Sequence, residues 1–203
     1  MNNINLIKSV LEKLNESGCK EALELAKVKS LGNCHANGLY SIVIDGEDGN
    51  LTRVFIATED IEPFDIAMHS HRYNLQIGVV RGKVTHHTAE YSTSFFDSAV
   101  ELPLHRYTAS DRSFVYQGQH RVMLKSFDLP VGSELELFDH ELHSVSCKKG
   151  AMWIVKELGY SEDGSEILGV PFDVDGLYTS VNSSTVEMLF GRFCANLSKF
   201  SFM

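Results

Sequence analysis

The chain has 203 residues, of which 43% are apolar and 22% are charged, and it carries a formal net charge of -9 with a pI near 5.4. A chain of this size and composition can bury one well-filled core, so a single domain over residues 1–203 is expected. The acidic balance argues against nucleic acid or an anionic membrane surface as a partner, because both require clustered Lys and Arg. No apolar run reaches the roughly 18 residues of a membrane span, and the start does not resemble a secretion signal, so we expect a cytoplasmic location.

A helical segment opens the chain. Apolar residues recur at helical spacing from Ile4 to Leu14, Gly18 follows as a stop, and a second helical stretch is expected near residues 20–27. These patterns predict a helical N-terminal cap over residues 1–30.

The pattern changes at about Leu39 to short runs rich in β-branched and aromatic residues, separated by turn-forming Gly, Asp, Asn and Pro. Eight or more such runs without alternating helices predict an antiparallel sandwich or barrel. The expected fold class is therefore mainly β, with the barrel over residues 39–160. Residues 161–203 form a short C-terminal extension, in which residues 185–193 suit either a helix or a strand.

The nine histidines of the chain provide its strongest chemical signal. His69 and His71 end the strand-like run FDIAMHSH, where a period of two places both imidazoles on one face of a sheet. Two neutral imidazoles on one face can bind one metal ion. Gln76 follows five residues later and could direct its amide oxygen to the same point. A second segment, SELELFDHELHS, follows Gly132 and contains His143.

These two segments resemble the two motifs of the cupin superfamily. The first motif matches at His69 and His71, with Pro63, Gln76 and an early Gly82 at the places of its Gly, Glu and Gly. The second motif matches at Gly132 and His143, while Phe138, His140 and Cys147 take its Pro, Gly and Asn places. The resemblance covers about residues 60–157. It implies a double-stranded β-helix, the cupin jelly-roll barrel, with a metal inside it.

The resemblance also implies the ligands of that metal. His69, His71 and His143 are the expected ligands, Gln76 is a candidate fourth ligand, and His140 is the rival to His143. With Gln in place of Glu the centre is neutral, and it is then similar to the three-histidine centres of thiol dioxygenases and diketone-cleaving enzymes. We therefore expect one divalent transition metal, with Fe(II) favoured and Zn, Mn or Ni as alternatives.

The expected function is that of an iron(II) dioxygenase acting on a small-molecule substrate. The alternatives are a non-redox metal-dependent isomerase, lyase or hydrolase, and a non-enzymatic cupin that binds a small molecule. His86 and Tyr73 are the candidate catalytic residues, with Val84 as an inward neighbour selecting His86 over His87. The remaining histidines, His35, His105 and His120, show no ligand spacing and are expected to be structural. By analogy with cupins, a homodimer is expected.

Overall fold

The computed structural model describes residues 5–14, 16–47, 49–93, 98–108, 110, 113–159, 164–170 and 178–202. The helices are α1 (Leu6–Lys13), α2 (Glu16–Lys29) and α3 (Ser183–Leu197), and a 3-10 helix follows at Ser198–Phe202. The strands are β1 (Leu31–Gly32), β2 (Leu39–Asp45), β3 (Thr52–Ala57), β4 (Met68–His69), β5 (Asn74–Arg81), β6 (Val84–Tyr91), β7 (Val100–Thr108), β8 (Ser113–Leu129), β9 (Glu134–Leu137), β10 (Leu142–Cys147), β11 (Met152–Leu158), β12 (Gly164–Leu168) and β13 (Thr179–Ser180).

The strands form two antiparallel sheets. The first sheet has the order β13-β1-β2-β3-β11-β5-β9, and the second closes on itself in the order β10-β4-β12-β7-β8-β6. The expected mainly β, jelly-roll-like barrel with N-terminal helices is confirmed. The segment at residues 185–193, which suited a helix or a strand, lies in helix α3.

Strand periodicity divides the first sheet into two faces. In β11, Trp153 and Val155 face the space between the sheets, whereas Met152 and Ile154 lie against the helices. The second sheet covers the other side of this space with core residues that include Val84, Leu129, Val145 and Cys147. This space is where the candidate site lies.

The helices cover the outer face of the first sheet. The Glu134 carboxylate accepts hydrogen bonds from the backbone N–H groups of Leu6 and Ile7, at 3.0 and 2.9 Å, and so ties the start of α1 to strand β9. Asn182 caps α3 by accepting from the N–H of Thr185 at 2.9 Å. No helix within the described part of the chain is long and apolar enough to cross a membrane.

Candidate metal centre

Two short strand segments bring the predicted ligands together. His69 on β4 lies directly opposite His143 on β10 in the antiparallel register. Strand alternation turns Met68 and Leu142 toward a separate apolar cluster, so the adjoining histidines face the space between the sheets. His71 follows β4 and is held by its backbone N–H, which donates to the carbonyl of Asp139 at 2.9 Å. We call His69, His71 and His143 the histidine cluster.

The ring nitrogens of the histidine cluster converge. The candidate ligand atoms of the three side chains all lie within 4.8 Å of one another. The Nε2 atoms of His71 and His143 are 2.7 Å apart, and the ring centroids of the three pairs are separated by 4.8, 5.1 and 4.9 Å. His69 donates from Nδ1 to the carbonyl of Ala67 at 2.8 Å, which leaves the lone pair on its Nε2 available for a metal.

Burial keeps the cluster neutral. It lowers the pKa of His69, against the opposing effect of the Ala67 hydrogen bond, and it lowers the pKa values of His71 and His143 well below the usual range. The neighbouring imidazoles lower the last two further, because adjacent cations would repel each other. Each neutral imidazole has one ring nitrogen whose lone pair can bind a metal. The three nitrogens together are therefore a set of ligands that fits a divalent transition metal.

Gln76 is placed away from the cluster. Its amide nitrogen donates to the carboxylate of Glu136 on the neighbouring strand β9, at 3.0 Å. Leu75 and Ile77, on either side of it in β5, point into the core instead. The structure therefore does not bring Gln76 to the histidine cluster, because strand alternation directs its side chain to the opposite face of the sheet.

His140 also lies outside the cluster. Its side chain is 78% exposed and its ring contacts the carboxylate of Asp139 at 3.0 Å. Of the two rivals for the third position, the structure brings His143 to His69 and His71.

The two candidate catalytic residues occupy different places. Tyr73 is half-buried against the inter-sheet core, and burial raises the pKa of its phenol. His86 is fully buried on β6, on the same face as Val84, and its ring stacks on His143 with a centroid separation of 4.9 Å. Burial, followed by the neighbouring His87, lowers the pKa of His86 to about 4, so it is a weak base at neutral pH.

A cavity of about 320 Å³ adjoins the histidine cluster between the sheets. Its apolar wall includes the stacked rings of Phe55 and Trp153, whose centroids are 5.4 Å apart. Its charged lining comprises Arg72 and an ion pair in which Arg53 Nε donates to Glu157 at 3.1 Å. The other described lining residues are Leu31, Cys34, His35, Leu39, Ile66, Tyr73, Leu75, Ile77, Ser144, Val145, Val155 and Tyr178.

His35 is a site residue that sequence reasoning missed. Its ring stacks on His69 at 4.9 Å and 19°, and its Nδ1 lies 3.3 Å from the hydroxyl of Tyr178. His35 and Tyr178 both have left-handed backbone conformations, with φ of 69° and 61°. Such strain in non-glycine residues is concentrated at functional sites. No local pattern signals this arrangement, because His35 lies in a loop far from the cluster in sequence.

Comparisons with known proteins give distant structural matches. No family model matches the sequence, and no curated protein matches it. Hydroxypropylphosphonic acid epoxidase from S. wedmorenis aligns at 15% identity with a TM-score of 0.38, over 64% of this chain and 55% of that chain. The Streptomyces albus protein HEPD, with 2-hydroxyethylphosphonate and Fe(II) bound, aligns at 9% identity with a TM-score of 0.43, over 66% of this chain and 24% of that chain.

A third structure, HppE with Co(II) and substrate, aligns at 15% identity with a TM-score of 0.32, over 59% of this chain and 51% of that chain. The present chain thus spans about half of the epoxidase and about a quarter of HEPD. At these identities and scores the matches assign no family or activity. What the fold and the site together establish is a jelly-roll-like β structure with a three-histidine cluster, two of whose members are buried and one half-buried, of a composition that suits a divalent metal.

Proposed function

We propose that this chain is a metal-dependent enzyme, specifically an iron(II) dioxygenase that acts on a small organic molecule. The observation that carries the proposal is the convergence of three neutral imidazoles, those of the buried His69 and His143 and of the half-buried His71, beside an inter-sheet cavity. Within the described residues, no carboxylate belongs to the cluster, so the ligands leave the charge of the ion undiminished. When bound by three imidazoles, iron(II) supplies redox chemistry and open positions for two reactants.

The cavity residues would serve the bound substrate. A volume of about 320 Å³ suits a small organic molecule, and the Phe55–Trp153 stack with its apolar neighbours gives the cavity an apolar wall for such a molecule. The raised pKa of Tyr73 keeps its phenol protonated at neutral pH, so this hydroxyl can donate a hydrogen bond to substrate. The Arg53–Glu157 pair neutralises its own charges within the wall.

Metal and oxygen measurements test this proposal together. The chain is purified anaerobically, its metal content is determined, and oxygen uptake is measured with small thiols and with diketones. We expect one iron per chain and uptake that depends on one of these substrate classes. The Tyr73→Phe variant should retain its iron and turn over more slowly, because it lacks only the hydroxyl.

Tightly bound zinc or manganese without oxygen consumption would overturn the dioxygenase proposal. That result would instead favour a non-redox isomerase, lyase or hydrolase, in which the metal polarises a carbonyl. The homodimer and the cytoplasmic location stay predictions; light scattering on the purified chain tests the first.

A further inference from the structure

The second ring nitrogen of a metal-binding histidine normally has a hydrogen-bond partner, which fixes the tautomer and the ring orientation. In the histidine cluster, His69 meets this requirement because its Nδ1 donates to the carbonyl of Ala67. His143 does not meet it: its Nδ1 is buried and has no partner among the described residues. A partner for this nitrogen is therefore needed when the other nitrogen binds metal.

The neighbouring side chain that could provide a partner for His143 Nδ1 is that of His86. Strand β6 pairs with β10 so that His86 lies opposite Val145, and its ring stacks on that of His143 at 25°. Phe127 packs on His86 as well, with a centroid separation of 5.1 Å. His86 is fully buried, and neither of its nitrogens has a partner in the part of the chain that the structure describes.

An unpartnered imidazole is costly at this place. Each buried polar atom left without a hydrogen bond costs about 1–3 kcal/mol, and a phenylalanine could fill a similar volume without that cost. The adjacent residue His87 shows the satisfied alternative, since its two nitrogens meet the hydroxyls of Ser126 and Ser146 at 2.7 and 2.8 Å. Three buried nitrogens without partners thus lie on two stacked rings, one of which is a candidate metal ligand.

Metal binding changes the hydrogen bonding of His143. In the metal-free protein its Nε2 lies 2.7 Å from the Nε2 of His71, a hydrogen-bond distance that requires one ring to donate and the other to accept. Two nitrogens bound to one metal lie about 3 Å apart and carry no proton between them, because each lone pair points at the ion. The neutral His143 ring must then carry its proton on Nδ1, where an acceptor is required.

We propose that His86 is a positioning residue for His143: when the metal binds, one of its ring nitrogens accepts the Nδ1–H of His143 through one buried water, since an in-plane N–H does not point at a stacked ring. This inference rests on the three-histidine metal site of the proposed function. His86 is not assigned as a ligand, since it lies outside the group of converging nitrogens. Its role is to hold the tautomer and orientation of a ligand.

The test compares three variants by metal affinity and by stability. His86→Phe removes both nitrogens and keeps a flat ring, His86→Gln keeps an acceptor, and His87→Gln is the control on the same strand. Affinity is measured for Co(II) by competition with a chromophoric chelator, and stability of the metal-free chain by urea unfolding. We expect His86→Phe to be at least as stable as the parent and to bind Co(II) about 10–100-fold more weakly.

The controls separate an acceptor from a packing role. His86→Gln should bind Co(II) within about threefold of the parent, and His87→Gln should lose stability while keeping its affinity. Parent-like affinity in His86→Phe, or equal losses in His86→Phe and His86→Gln, would overturn the inference. If His86→Phe does not fold, His86→Leu replaces it in the same comparison. Co(II) binding by His143→Ala would instead show that the proposed metal site itself is wrong.

Discussion

Replacement of Glu157 by alanine probes the wall of the cavity beside the histidine cluster. Glu157 is 3% exposed; its Oε1 accepts from Arg53 Nε at 3.1 Å and its Oε2 accepts from the backbone N–H of Leu51 at 3.2 Å. The substitution leaves a guanidinium and a backbone donor without their partner. We therefore expect Glu157→Ala to destabilise the metal-free protein strongly.

The size of the effect follows from the burial of the two charges. Removal of one partner from a buried ion pair costs about 3–5 kcal/mol. The Arg53 side chain is 21% exposed, so the guanidinium regains some hydration and the lower end of that range, about 3 kcal/mol, applies. With a urea m value of about 2–3 kcal/mol/M, the unfolding midpoint falls by about 1–1.5 M. Glu157→Gln keeps an acceptor and should lose less.

Urea unfolding followed by tryptophan fluorescence measures this directly. The chain has one tryptophan, Trp153, and it lines the same cavity. The control is Glu62→Ala, which removes an exposed carboxylate that pairs with Lys148 at 2.8 Å and should change stability by less than about 0.5 kcal/mol. Equal midpoints for Glu157→Ala and Glu62→Ala, with unchanged m values, would refute the reasoning.

Three further predictions concern the cluster and its surroundings. Because burial lowers the pKa values of the histidine cluster, the unfolded chain binds more protons than the folded chain below the ordinary histidine pKa of about 6.5. The metal-free protein should therefore lose stability as the pH falls from 7 to 5. A urea-unfolding midpoint that does not change with pH would contradict neutral imidazoles in the folded protein. Gln76→Ala should bind metal as the parent does, since its amide contacts Glu136; a tenfold loss of affinity would return Gln76 to the ligand set. Gly82→Ala should lower the free energy of unfolding by about 1–2 kcal/mol, because Gly82 has a φ of 73° and a Cβ there would lie 3.3 Å from Ala151 Cα. The control is Gly191→Ala in helix α3, where the new Cβ meets no atom within 4 Å, and this variant should not be destabilised.

The convergence of His69, His71 and His143 could be predicted from the sequence because it depends on local geometry. A period of two across strand-forming residues aligns alternate side chains, and the motif register of Gly132 and His143 indicated the partner segment. The same alternation explains why Gln76 lies away from the cluster. The motif suggested a ligand at that place, but the strand begins at Asn74 and directs Leu75 and Ile77 inward.

The parts of the site that depend on distant pairing could not be predicted. His35 and Tyr178 come from loops at opposite ends of the chain and meet beside His69 only because β1 pairs with β13. The stacking of His86 on His143 depends on the register of β6 against β10, which its position in the sequence does not reveal. Side-chain partners across a sheet follow from three-dimensional register, whereas sequence spacing reports only the face of each strand.

Metal content of two single variants tests the central claim most directly. His143→Ala removes a member of the histidine cluster, and His140→Ala removes the exposed histidine three residues earlier, so the pair is matched in chemistry and in sequence position. After anaerobic reconstitution with Fe(II) and removal of free ions, we predict one iron per chain in the parent and in His140→Ala, and none in His143→Ala. Iron retained by His143→Ala, or lost from His140→Ala, would contradict the account.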